Sequence, residues 1–563
     1  MQEMKEWTIM FYFASDNPLA AGIIAQMKSI KYAGFHPQAN VVAQFDPNTV
    51  GTPTHIFDIN YIAKLKNHGA PNIGFESDDP FVRNMIEDKL WRDQKARDEK
   101  TLIRDAIKTK LKEKYKIEYN PPVPPNDRVP KRGAAKSNLI EPDPRQSLES
   151  FLNFCADNYP ARHYMLFILG HGLVVANDIF LLDEHAEEKS LSLQGLREVL
   201  TTFKEQIQRH DAQFEFVGFH SCGVSSIEVA YELQGTANYM MASQSPAFVG
   251  SWPYRQILIR LFKDLVDSGA GISVKEMLVK IFYYCLYNSM DFLLAGYSFD
   301  LCLCDLNKVS VLNEPLQELS KALIAGLADP LANKFILLSH WKSQSYWQEA
   351  YTDLYDFCFC LSKRCEKYEE SEGKMSDPLQ AIHTACGNVM YQLEKGVEGN
   401  DDKFIVRAEF AGPAYQYSHG LSVFFPWSQP SQDSNIMTQY EEHKFSTALK
   451  PSWVGFLEQY FKETMRDSRR SKGEQPLPGV NARAKAEADL EEDIASLIYN
   501  GEGSLSMDRS VDVLKVSPID GTGNDCDCGS IKNHPHDTRP SRDRGKQAYD
   551  KVTLISDNFF QQF

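Results

Sequence analysis

Residues 164–172 read YMLFILGHG, and residues 214–233 read FEFVGFHSCGVSSIEVAYEL. Each stretch opens with a short apolar run, and each run ends on a reactive side chain, His171 in one and Cys222 in the other. A short continuous apolar run closed by turn residues is how a strand buried on both faces reads, as in a parallel sheet. Between the two runs lies SLSLQGLREVLTTFKEQIQ, with the spacing of an amphipathic helix. After the second come SSIEVAYELQG, also helical, and the short strand YMMASQS. Residues 164–245 therefore read β-α-β-α-β. Ligands of open α/β sheets bind beyond the carboxyl ends of the strands, where His171 and Cys222 both fall.

The alternation extends toward the amino terminus. WTIMFYFA reads as a strand, residues 18–32 as a helix, and NVVAQFD and THIFDIN as further strands, which predicts a parallel sheet with crossover helices. Residues 78–137 break this pattern with dense charge and a PPVPP run, and read as an insertion. Residues 142–158 form a helix entered through Pro142 and Pro144. The expected organisation is an α/β catalytic core over 1–250, a mixed but mostly helical part over 251–465 with strands near SFDLCLCDL and GLSVFFPW, and a flexible tail over 466–563.

Composition narrows the function class. A net charge of −16 over 563 residues argues against nucleic-acid binding, which favours a basic footprint. No stretch has the ~20 apolar residues that span a bilayer, and Trp7–Ala14 is too short for a convincing signal peptide, so a cytoplasmic protein without membrane contact is expected. Eleven cysteines in so long a chain do not make a disulfide scaffold. The LCLC and FCFC pairs, Cys302/Cys304 and Cys358/Cys360, read as strand residues buried on one face.

A thiol and an imidazole at one sheet edge are the parts of a cysteine hydrolase. Cys222 would be the nucleophile, aided by a helix starting near Ser225, and His171 the general base and acid. Gly172 permits close backbone approach, and the N–H groups of Gly172 and Cys222 are candidates for an oxyanion hole. No cofactor is required. The acidic loop LLDEHAEEKS (residues 181–190) offers a calcium site, and its Lys189 a place for self-processing. Cys526, Cys528, His534 and His536 in the tail could hold zinc, although their spacing fits no common module.

Several stretches together resemble the clostripain family of cysteine peptidases, relatives of the caspases. They are WTIMFYFASDNPL, ILGHG, FHSCGVSSIEVAYEL, MMASQ, SWPY, YTDLYDFC, GLSVFFPW and PSWVGFLEQY, spread over most of residues 5–461. The resemblance implies a caspase-like α/β/α sandwich with a mostly parallel central sheet, and a Cys–His dyad of Cys222 and His171 acting on peptide or protein substrates. It also implies an aspartate two residues before the nucleophile, near a pocket for arginine or lysine. Here that position is His220, which cannot pair equally well with a basic side chain. Asp16 and Asp183 are candidates for the missing charge, and Asp16, His220 and Ser243 are taken as substrate-binding. The rival expectations are a non-catalytic binding or scaffold protein on the same fold, and a cysteine-dependent amidase or acyltransferase.

Overall fold

The structure is a computed structural model that describes residues 4–58 and 143–472, with short gaps inside both ranges. The 78–137 insertion, the four tail residues proposed for zinc, and almost all of the expected tail lie outside the described residues.

An eight-stranded sheet runs in the order β10-β7-β6-β5-β4-β1-β2-β3. Its strands are β1 (Lys5–Phe13), β2 (Ala39–Phe45), β3 (His55–Asp58), β4 (Ala161–Leu169), β5 (Gln213–His220), β6 (Tyr239–Ala242), β7 (Phe299–Asp305) and β10 (Ile405–Ala411). The five central strands are parallel. The last seven residues of β1 and of β5 are buried, as expected for strands covered on both faces. THIFDIN departs from the parallel expectation, because β3 pairs antiparallel to β2. Only nine residues separate these strands, too few for a crossover helix.

α1 (Ala20–Lys31) follows β1, and α2 (Pro144–Asn158) precedes β4. α3 (Leu193–Gln208) links β4 to β5, and α4 (Ile227–Leu233) links β5 to β6. The chain steps one way from β1 to β2 and the other way from β4 to β6. Right-handed crossovers therefore put α1 on one face and α3 and α4 on the other. α1 packs with α5 (Tyr254–Arg260), whereas α2 packs with α3. Local chemistry starts these helices where the sequence suggested. Asp143 caps α2 by accepting the Gln146 N–H at 2.8 Å ahead of Pro144, and Ser192 caps α3 by accepting the Gly195 N–H at 3.0 Å. Each such cap contributes about 1 kcal/mol.

The C-terminal half adds α6 (Val274–Asn288) and a second sheet of β8 (Ser345–Tyr346), β9 (Tyr351–Asp353) and β11 (Ser422–Phe424). One continuous hydrophobic cluster runs from Trp7 to Phe461 and joins both halves. Cys302 and Cys304 sit on β7 as expected, but Cys358 and Cys360 belong to the helix Leu354–Glu372. A short apolar run does not distinguish strand from helix. The buried residues Leu354, Phe357, Cys358, Leu361 and Cys365 recur at helical spacing. All four cysteines are buried and none of them is in a disulfide.

Candidate active site

β4 and β5 pair in parallel, and their last register pair is Leu169 with His220. Two residues further along each strand come His171 and Cys222, so the pairing delivers imidazole and thiol to neighbouring points on the carboxyl edge. Gly172 allows the approach. A Cβ there would lie 2.5 Å from the backbone nitrogen and carbonyl carbon of Cys222, and closer still to its oxygen. Gly223, just after Cys222, takes a left-handed φ of 64°, which glycine adopts without strain. Both reactive side chains are inside the protein, Cys222 at 0% and His171 at 1% exposure.

The sulfur is covered by the backbone of one residue, Ala247. The Ala247 N–H donates to Cys222 Sγ at 3.3 Å, and Sγ lies 3.9 Å from the Ala247 carbonyl oxygen. A backbone N–H so placed can bond an anionic sulfur. The expected helix does begin nearby, at Ile227 with Ser226 as its cap. It has only seven residues and starts five residues after Cys222, so its dipole reaches the sulfur weakly.

His220 ends β5 with both ring nitrogens occupied. Nδ1 lies 2.9 Å from the Tyr254 hydroxyl, and Nε2 lies 2.6 Å from the Phe248 carbonyl and 3.0 Å from Ser251 Oγ. Its ring stacks on Trp252 at 4.9 Å. Burial pulls its pKa down to about 3, partly opposed by the bond to Phe248. The imidazole is therefore neutral at pH 7, and it braces the 248–254 segment from behind.

That burial makes stability depend on pH. The unfolded chain protonates this histidine below about 6.5 while the folded chain does not, so stability falls as pH drops from about 6.5 toward 3. Between pH 7.5 and 5.5 the wild type should lose about 1.4 kcal/mol more than His220→Asn. Urea unfolding of both proteins at the two pH values measures this, and equal losses would contradict it. Asp300, whose pKa burial raises to about 6, acts in the opposite sense in both proteins and cancels in the difference.

Ser243 follows β6 in the same neighbourhood, with its hydroxyl 3.4 Å from the Ser221 carbonyl and 3.1 Å from the Ser245 carbonyl. Asp300 on β7 accepts the N–H groups of Gln244 at 2.9 Å and Ser245 at 2.8 Å. The Ser245 carbonyl in turn accepts the Gly223 N–H at 3.4 Å. The 243–248 segment is thus stitched to the loop that carries Cys222.

Residues far apart in the sequence support this segment from below. Asp353 of YTDLYDFC accepts from Gln244 Nε2 at 3.1 Å and from the His419 N–H at 2.7 Å. Gln244 Oε1 accepts the Gly420 N–H of GLSVFFPW at 3.1 Å, and Ser225 Oγ donates to the Gly420 carbonyl at 2.6 Å.

Asp16 lies elsewhere on the same edge. Its carboxylate comes within 4.8 Å of those of Asp46, after β2, and Asp183, in the loop after β4. The two aspartates singled out in the sequence therefore meet, joined by one that carried no local signal. Three carboxylates this close form a group able to hold a cation.

The clostripain-family model matches residues 129–460, more than half of the chain. The chain belongs to the clostripain family. As a clostripain-family protein it is a cysteine peptidase with peptide or protein substrates, and its sheet is the mostly parallel one expected of that fold. No curated protein matches the chain. Solved structures that resemble it include an inactive zymogen C11 protease from Parabacteroides distasonis, at 15% identity and a TM-score of 0.41, covering 80% of this chain and 99% of that one. A secreted C11 cysteine protease from Bacteroides thetaiotaomicron, in complex with an irreversible peptide inhibitor, is 13% identical with a TM-score of 0.41 and covers 81% and 99%. No helix among the described residues is long and apolar enough to cross a membrane.

Proposed function

We propose that this clostripain-family peptidase is an endopeptidase that works through Cys222 and His171 and a thioacyl-enzyme intermediate. The observation that carries the proposal is the parallel register that brings both side chains to one strand edge, with Gly172 against the Cys222 backbone. His171 takes the thiol proton as sulfur attacks the scissile carbonyl, and the Gly172 and Cys222 N–H groups bond the oxyanion. His171 then protonates the leaving amine, and water activated by the same imidazole releases the acyl group. For substrate to enter, the Ala247 peptide must leave the sulfur. The chemistry uses no cofactor.

The purified chain, incubated with a mixed peptide library, tests this. Internal cleavage together with an acyl adduct on Cys222, seen by intact mass, is the expected result. Cleavage without any adduct or dependence on Cys222 would sink the proposal.

Self-processing belongs to the same proposal. The 181–190 loop exposes Lys189, and its Leu181 N–H donates to the His171 carbonyl at 3.0 Å, so a cut there acts directly on the histidine's turn. Calcium is proposed as a structural ion at Asp16, Asp46 and Asp183, where it would relieve the repulsion among three carboxylates. Added calcium should then raise the Tm of the wild type by a few degrees and leave Asp46→Asn unmoved. Equal shifts in both proteins would count against it.

A further inference from the structure

Behind the 246–252 segment lies a narrow cavity that shares Ser243 and Ala247 with the surroundings of the nucleophile. Its accessible volume is about 20 Å³, little more than one water needs. Ala247, Phe248, Trp252, Leu286 and Phe299 form its apolar walls. The polar groups that line it have partners within the protein. Ser251 Oγ meets His220 Nε2, Ser289 Oγ donates to the Cys285 carbonyl at 2.8 Å, and Ser243 Oγ donates to backbone carbonyls. Asp300 is the one carboxylate among the lining residues, and each of its oxygens accepts a backbone N–H. Where the family places an aspartate, His220 stands behind the wall and brings no charge.

We infer that this cavity receives the side chain preceding the scissile bond and selects small, uncharged residues over arginine and lysine. The inference rests on the peptidase reading above and adds its substrate class. A guanidinium or ammonium group entering here would be stripped of water beside walls with no uncommitted carboxylate, a cost of several kcal/mol. A long side chain would also have to displace Phe248 or Leu286. Alanine or serine needs the least rearrangement. The same preference disfavours a self-cut after Lys189.

The test uses the full chain and matched peptidyl acyloxymethyl ketones that differ only in the residue beside the ketone: alanine, leucine, lysine or arginine. The Cys222 sulfur displaces the carboxylate to leave a thioether, and intact mass gives the rate. The alanine probe should react at least about tenfold faster than the lysine and arginine probes. Ser251→Asp, which puts a carboxylate on the wall, should raise the lysine-to-alanine rate ratio about tenfold. Leu286→Ala, which widens the cavity, should raise the leucine-to-alanine ratio by a similar factor, so the inference stays testable if the first variant does not fold. Lysine or arginine reacting as fast as alanine overturns the inference and leaves the peptidase reading standing. Ratios unmoved in both variants overturn it as well, by removing selectivity from this cavity. If no probe modifies Cys222, both readings fall together.

Discussion

Cys222→Ala and His171→Gln are each expected to lower kcat/KM for peptide cleavage by at least about 10⁴-fold. The size follows from how the two groups share one step. The thiol has no base other than His171 at this strand edge in the proposed mechanism, and the imidazole has no nucleophile without the thiol. Residues that act as a unit lose their effect together, so the double variant should be scarcely worse than either single one. A product of the two separate losses would mean that they act independently, and it would remove the dyad. Stability must be followed alongside. Cys222→Ala leaves the buried Ala247 N–H without its sulfur acceptor, a cost of about 1–3 kcal/mol, whereas His171→Gln keeps most of the buried volume. Both variants should therefore unfold cooperatively at a modestly reduced Tm. A folded variant that keeps more than about 1% of wild-type activity contradicts the mechanism.

The sheet was legible because its central strands are uninterrupted apolar runs, and burial on both faces leaves no other pattern for them. The positions of His171 and Cys222 followed from that, since a parallel strand shows its carboxyl end at the first glycine or polar residue beyond the run. What escaped depended on contacts across long stretches of sequence. Asp46 reads as an ordinary turn aspartate after β2, and only β1 and the loop after β4 bring Asp16 and Asp183 beside it. Ala247 carries no chemical signal of its own, because its contribution is a backbone N–H whose direction is set by Asp300 and Gln244. The SWPY stretch stood out in the sequence without a role. Its Trp252 turns out to stack on His220, and its Tyr254 hydroxyl to bond the same ring. The FCFC pair went to the wrong element, since four residues are fewer than two helical turns and carry no decisive period.

Gly172→Ala should disable the enzyme without touching either reactive side chain. The added methyl would meet the nitrogen, carbon and oxygen of the Cys222 backbone, atoms that have no rotamer with which to move away. Either β4's exit or the nucleophile's turn must shift, and both are held. The Leu181 N–H bonds the His171 carbonyl, and the Gly223 N–H bonds the Ser245 carbonyl. A displacement of about 1 Å in a catalytic pair costs roughly 100-fold in rate, and a second loss would come from the Gly172 N–H leaving the oxyanion site. The expected result is a kcat/KM reduced by at least about 100-fold together with about 3 kcal/mol of lost stability. Gly387→Ala is the matching control. It lies inside the helix Asp377–Leu393 with nothing within 4 Å of the added carbon, so it should stabilise the protein by about 0.5–1 kcal/mol and leave cleavage unchanged. Activity in Gly172→Ala equal to that of the control would mean that the His171 and Cys222 strand ends do not sit as closely as the register requires, and the dyad would have to be sought elsewhere.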